Sequence, residues 1–374
     1  MNERKLRVAH VLVALGVGGM EKVVVDIIRR FDRARVRSSV YCVWKKGSLA
    51  EKLEKEGIPV EVVQSNGFPL NLAWQLARRF RQHRYDVVHS YSGVYRDAAL
   101  AARAAGVPVI VHTDQGKFYP DSRWSRINHR ICSVLRDQVT AVSDELKEFL
   151  VGEVGIPERK VIRIYNGVDP REHASNGARD QTRQALGIGA DTPVIGIVAR
   201  LSEVKNHPLL FHAFSLVCKE CPRALLLVVG DGKKRTSLES LAGKLGITDR
   251  VRFLGTRRDV KELLHCMDIV CLSSRSEGLS LTLAEAMASA KPVVATAVGG
   301  NTELIRDGID GRLVSPEHEE EMADALRELL GEKEKREQMG RHARERIREE
   351  FNLETIVKEY ENVYLKLSGN KGRR

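Results

Sequence analysis

No stretch of the 374-residue chain approaches the 18 or more apolar residues that a membrane-spanning helix needs. Residues 8–15 come nearest, but His10 interrupts them and a glycine turn follows. With no small-residue cleavage site behind it, this stretch reads as a buried first strand, not as a signal peptide. The expected location is cytoplasmic. Cysteine is sparse, six residues at 42, 132, 218, 221, 266 and 271. Cys218 and Cys221 are the one close pair, and neither a histidine at zinc spacing nor a second suitable pair accompanies them. Ordinary thiols are expected, not a structural zinc. There is no Walker loop. The Gly16-Val17-Gly18-Gly19-Met20-Glu21 turn also fails as a dinucleotide fingerprint, because Glu21 stands where a third glycine belongs. Aromatic residues make up only 5%, without interleaving among basic residues or zinc-finger spacing, so nucleic acid is not an expected partner.

What the chain does have is length, apolar content and positive charge. Its 374 residues and 43% hydrophobic content suit two soluble domains of ordinary size. The net charge of +11 is uneven. Residues 1–165 hold 28 Lys+Arg against 18 Asp+Glu, a balance of +10, and the remainder holds 33 against 32, a balance of +1. Two clusters stand out, Arg78-Arg79-Arg81-His83-Arg84 and Arg123-Arg126-Arg130-Arg136, the second enclosing Trp124. Such clusters suit an anionic membrane surface or an anionic ligand, and equally suit solvated helix faces with favourable charge at helix C-termini.

Short continuous apolar runs alternate with helical patterns along the whole chain. In the first half the strands read Leu6 to Leu15, Ser39 to Val43, Val60 to Val63, Asp86 to His89, Val109 to His112, Gln138 to Val142 and Val161 to Tyr165. Asn166-Gly167-Val168-Asp169-Pro170 and the polar segment to Gln181 break the rhythm and read as a domain junction. The series restarts at Pro193 to Val198 and ends in a helical segment, Asn352 to Leu367, whose apolar face needs a surface to pack on. Runs without period-2 alternation mark parallel strands covered on both faces, and strand–helix alternation gives doubly wound α/β sheets.

The chemistry-bearing stretch is Ser273 to Ile305. It reads strand, acid-bearing loop, helix, strand and glycine turn, with Glu277 in the loop, Glu285 in the following helix and Gly299-Gly300 at the turn. In a parallel sheet these groups collect at the carboxyl edge, where ligands bind. Arg200 and Lys205 follow the first strand of the second half, and two cations at that edge suit a diphosphate. In the first half, Gly18 and Gly19 let backbone approach a ligand at a helix N-terminus. His89 and His112 end strands, where each suits either a ligand contact or a buried bond to backbone.

Taken in order, these residues resemble the retaining glycosyltransferases of family 4, also called group 1, over essentially the whole chain. The strongest element is Glu277-x7-Glu285 followed by Ala286-Met287-Ala288, although the family commonly has Phe-Gly-Leu or Phe-Gly-Ile where this chain has Leu279-Ser280-Leu281. Gly18-Gly19-x-Glu21, Asn166-Gly167-Val168-Asp169, Arg200 with Lys205, Gly230-Asp231-Gly232, Phe253-Leu254-Gly255 and Pro292-Val293-Val294-Ala295 through Glu303 support it. The resemblance implies an α/β GT-B fold, two Rossmann-like doubly wound domains facing a central cleft. Residues 1–168 would bind acceptor, residues 169–351 would bind a nucleotide-sugar, and a helix near 352–368 would cross back to the first domain. It implies a hexosyltransferase-type enzyme using a UDP- or GDP-sugar, with no metal or other cofactor. Arg200 and Lys205 would stabilise the leaving diphosphate, Glu277 would hold the donor sugar, Glu285 would bond the ribose, and His112 would lie near the transferred sugar. Gly18, Gly19, Gly230, Gly278, Leu279, Ser280 and Leu281 would complete the donor site. The acceptor would be a glycan, a lipid-linked glycan or a small soluble molecule, with polysaccharide or glycolipid synthesis and peripheral contact with an anionic membrane as the expected setting. A nucleotide-sugar epimerase, a glycogen or starch synthase and a non-catalytic carbohydrate-binding protein share this fold and are the weaker readings.

Overall fold

The computed structural model describes residues 5–16, 18–64, 71–116, 122–174 and 177–371. Val17 in the glycine turn and residues 175–176 in the polar segment read as a junction lie outside that set. The chain divides into two compact units, Met1–Asn166 with Leu353–Arg374, and Gly167–Asn352.

Unit 1 carries strands β1 (Leu6–Ala14), β2 (Val36–Lys45), β3 (Val60–Val62), β4 (Val87–Tyr91), β5 (Val109–Asp114), β6 (Gln138–Ala141) and β7 (Val161–Arg163). They form one parallel sheet in the order β3-β2-β1-β4-β5-β6-β7. Every residue of β4 and β5 is buried, which is why their sequences run apolar without alternation. The C-terminal helix Leu353–Lys371 belongs to this unit. Its Tyr364 hydroxyl meets His89 Nδ1 at 2.6 Å, Tyr360 lies 3.3 Å from Thr113 Oγ1, and Glu361 accepts from the Asp32 amide at 2.6 Å. His89 Nε2 also contacts Thr113 Oγ1 at 2.7 Å, and the ring is fully buried. His89 is therefore an anchor for this helix.

Unit 2 carries β8 (Val194–Val198), β9 (Leu225–Val229), β10 (Val251–Gly255), β11 (Ile269–Leu272), β12 (Val293–Thr296) and β13 (Arg312–Val314). Their order is β10-β9-β8-β11-β12-β13, again parallel. The chain runs outward from β8 through β9 to β10, then returns to β11 on the other side of β8. The topological switch point therefore lies between β8 and β11. Phe211, Phe214, Leu226, Val228, Leu326 and Leu329 are among the residues that close the core on one face of this sheet.

One element differs from the reading of the sequence. The polar segment expected to be all junction forms a helix, Ala178–Ala185. Arg183, 2% exposed, anchors it. Its Nη2 donates to Asp268 Oδ2 at 2.8 Å, its Nε to the Cys266 carbonyl at 3.0 Å, and its Nη1 to three carbonyls between Gly189 and Thr192. The partners lie up to 85 residues away, so local polarity concealed the helix.

Candidate active site

The parallel sheet of unit 2 brings four loops to its carboxyl edge, and short-range geometry holds them together. The one-turn 3-10 helix Glu203–Lys205 follows β8, and Asn206 ends it at φ 44°, a left-handed conformation that asparagine tolerates. The loop after β11 lies against this turn. Ser273 Oγ donates to the Lys205 carbonyl at 3.1 Å, and the Arg275 amide to the Val204 carbonyl at 2.8 Å. Thr296 Oγ1 donates to the Ser274 carbonyl at 2.6 Å, tying in β12. The Gly300 amide donates to the Gly278 carbonyl at 3.0 Å, and a Cβ on Gly300 would collide with that same oxygen. Gly230, at φ 129°, packs as closely on the Ala199 carbonyl, so glycine is required at both positions.

Side chains converge within this frame. Lys205 Nζ lies 2.5 Å from Glu277 Oε1, and Ser274 Oγ donates to the same oxygen at 2.5 Å. The Lys205 and Glu277 side chains are 23% and 10% exposed, so the pair is partly dry yet open on one side. Ser280 caps helix Leu281–Ala288, its hydroxyl accepting from the Leu283 amide at 3.3 Å. Gly278, Leu279 and Ser280 are buried, Leu281 is half-buried, and Glu285 on the second turn is 6% exposed. Arg200, on the loop after β8, is exposed. A cavity of about 460 Å³ opens behind the Glu203–Lys205 turn, lined by Glu203, His207, Lys234, Arg275 and Glu317 among others, but neither Lys205 nor Glu277 lines it.

The remaining expected residues lie in unit 1. Gly18 caps helix Gly19–Arg30 without a side chain, and the Glu21 carboxylate folds back against Gly18. An acid over a helix N-terminus complements its dipole, as a phosphate would. His112 is fully buried at the end of β5. Its Nδ1 meets Ser90 Oγ at 2.9 Å and its Nε2 meets Asp114 Oδ1 at 3.3 Å. Burial lowers its pKa to about 4, against the opposing pull of Asp114, so the ring is neutral at pH 7. Burial pushes the Asp114 carboxyl up, but His129 and His112 beside it outweigh that and hold it well below the usual range.

Asp114, His129 and Arg136 were not read as a site. Asp114 Oδ2 lies 3.2 Å from His129 Nε2, which is 2.9 Å from Arg136 Nη1, and the Arg136 guanidinium stacks over the Tyr95 ring at 5.0 Å. Arg136 is 1% exposed, so it does not belong with the surface-basic run that the sequence suggested. His112, Asp114 and His129 offer ligand atoms within 4.8 Å of one another, as a metal site would. The Arg136 guanidinium already meets one of these ligand atoms, His129 Nε2, and the Asp114 carboxylate is close enough to act on it as a counter-charge. The sequence signal for the first pair was the x-spacing of His112 and Asp114, which puts both on one face of a strand.

Sequence comparison agrees with this architecture. The model of the family described as "Glycosyl transferases group 1" matches residues 178–346, and that of "Glycosyltransferase Family 4" matches residues 17–172. The chain belongs to this family of glycosyltransferases and is an enzyme of the hexosyltransferase type, with the GT-B fold. It is 31% identical over 297 residues to a D-inositol 3-phosphate glycosyltransferase of Actinosynnema mirum, covering 73% of this chain and 70% of that one. It is 27% identical over 313 residues, 79% of each chain, to the UDP-Gal:alpha-D-GlcNAc-diphosphoundecaprenol alpha-1,3-galactosyltransferase of Escherichia coli. Among solved structures it is similar to HepE of Anabaena in complex with UDP-glucose, with a TM-score of 0.85 and 25% identity over 96% of this chain and 100% of that one. Among the described residues no helix is long and apolar enough to cross a membrane.

Proposed function

We propose that the chain transfers a hexose, with retention of anomeric configuration and without a metal ion, from a UDP-sugar to a hydroxyl of a lipid-linked glycan. The observation that carries the donor half is the Lys205–Glu277–Ser274 cluster at the switch point between β8 and β11. Cleaving a sugar–phosphate bond builds negative charge on the departing diphosphate. A fixed ammonium in a partly dry site favours that charge most as it develops. Lys205 supplies this group, and Arg200, exposed on the same loop, supplies the second cation. Glu277, held by Lys205 and Ser274, accepts hydrogen bonds from donor-sugar hydroxyls. Glu285 accepts from the ribose, and Gly230, Gly278, Leu279, Ser280 and Leu281 form the walls.

His112 has both ring nitrogens engaged, so its role in this reading is to orient Asp114 at the end of β5, on the acceptor side. Retention follows from front-side attack, with the leaving phosphate taking the acceptor proton. UDP is favoured over GDP by the similarity to HepE, whose structure holds UDP-glucose. A second reading, transfer to a small soluble acceptor, is favoured by the 31%-identical relative named for D-inositol 3-phosphate. The test is to screen UDP- and GDP-sugars by thermal shift, then assay transfer to a polyprenyl-diphosphate glycan and to inositol phosphate, with and without chelator. Stabilisation by UDP-sugars and chelator-resistant transfer to the lipid-linked glycan are expected. Chelator-sensitive activity restored by a divalent metal contradicts the metal-free mechanism, and transfer to inositol phosphate alone replaces the first reading by the second.

A further inference from the structure

Seven of the eight large hydrophobic side chains that stand exposed among the described residues lie in unit 1, and four of them fall on and just past one helix. Helix Arg123–Ser133 places Trp124 (80% exposed), Ile127 (39%) and Ile131 (64%) outward, and Val134 (74%) follows at its end. Their spacing of three, four and three residues puts them on one narrow side of a helix with 3.6 residues per turn. Arg123, Arg126 and Arg130 recur at the same period beside that stripe, and the helix contains no acidic residue. Arg126 also bonds Glu153 at 3.1 Å. The opposite side of the helix is buried and polar, with His129 against Asp114. This reverses the usual surface helix, whose apolar stripe faces the core.

We propose that this stripe docks the enzyme on an anionic lipid bilayer. A tryptophan and branched aliphatics flanked by arginines match a helix lying in the headgroup plane, apolar side down and cations at the phosphates. The +10 balance of residues 1–165 supplies long-range attraction of the right sign. A second copy of the chain is the weaker occupant. Even with Trp124 contributing roughly 200 Å², four side chains fall short of the about 800 Å² that each side of a stable interface buries. The placement also has a chemical sense, which rests on the lipid-linked acceptor proposed above. The helix that touches lipid on one side holds His129 on the other, one ring contact from His112 at the end of β5, with centroids 5.6 Å apart. An acceptor anchored by its lipid would be presented beside that strand end.

The test is sedimentation of the full-length protein with phosphatidylcholine vesicles, with and without about one-third phosphatidylglycerol. The wild type is expected to bind the anionic vesicles and to be released by salt. Arg123→Gln and Arg130→Gln should each weaken binding about fivefold. Ile131→Glu should weaken it at least tenfold, and Ile309→Ser, an exposed site on unit 2, should leave it unchanged. Absence of wild-type binding at low salt, or Ile131→Glu binding like wild type, overturns the proposal. So does a wild-type dimer in light scattering that Ile131→Glu converts to monomer, which would make the stripe a self-interface. Stabilisation by UDP, read by thermal shift without vesicles, reports the donor site separately. Its failure would count against the transferase reading and leave the vesicle result standing.

Discussion

Lys205→Ala removes the cation at the switch point of unit 2 and leaves Glu277 with Ser274 as its remaining side-chain partner in that contact. Two consequences can be sized from the geometry. The first is stability. Lys205 and Glu277 are 23% and 10% exposed and 2.5 Å apart, a pair neither bare to water nor sealed from it. Removing one partner of such a hydrogen-bonded pair should cost about 1–3 kcal/mol, below the figure for a fully buried pair. The second is rate. If Lys205 meets the leaving diphosphate as charge develops, its loss resembles removal of one preorganised donor, about 3–4 kcal/mol or 10²–10³ in kcat. KM should change less than kcat, because the interaction strengthens on the way to the transition state. Lys205→Arg keeps the charge but spreads it over a planar fork, so it should recover only part of the rate. The assay is the initial rate of UDP release at saturating donor, with urea denaturation of each variant to separate folding from chemistry. A folded Lys205→Ala enzyme with kcat within about twofold of wild type would refute the assignment.

Further outcomes follow from the two units separately. Arg183→Ala should destabilise unit 2 by about 3–5 kcal/mol, since Asp268 loses a buried partner and the carbonyls at Cys266, Gly189, Ala190 and Thr192 lose a donor. Calorimetry would show an earlier transition, and an unchanged melting temperature would count against the anchoring role. In unit 1, burial lowers the pKa of His10 to about 3 and that of His112 to about 4, both below the unfolded value of 6.5. The folded unit therefore refuses protons that the unfolded chain binds. Its stability is complete above pH 6.5 and should fall on acidification by up to roughly 1.4 kcal/mol per pH unit for each histidine, down to its folded pKa. Urea denaturation at pH 7, 6 and 5 checks this, and His10→Gln should flatten the slope. pH-independent stability across that range would contradict the neutral buried state.

The strand–helix alternation was legible because parallel strands buried on both faces must be short apolar runs, and the chain has little else between its turns. Glu277 and Lys205 were legible because both follow strands that a doubly wound sheet places side by side. What the sequence concealed depends on distant partners. Helix Ala178–Ala185 looks like a polar linker until Arg183 is paired with Asp268, 85 residues on. Arg136 looks like one more surface arginine, yet it is buried against His129 and Tyr95. The exposure of Trp124, Ile127 and Ile131 was equally hidden, because a helical apolar period does not say which side faces the core.

The central claim is that the carboxyl edge of unit 2 holds a uridine diphosphate sugar with Glu285 on its ribose. Isothermal titration of UDP into the wild type and Glu285→Ala tests it most directly. Hydrogen bonds to a charged acceptor contribute about 1.5–3 kcal/mol, so the variant should bind UDP roughly 10–150-fold more weakly while keeping its fold. Equal affinity for UDP in a folded Glu285→Ala protein would contradict the account.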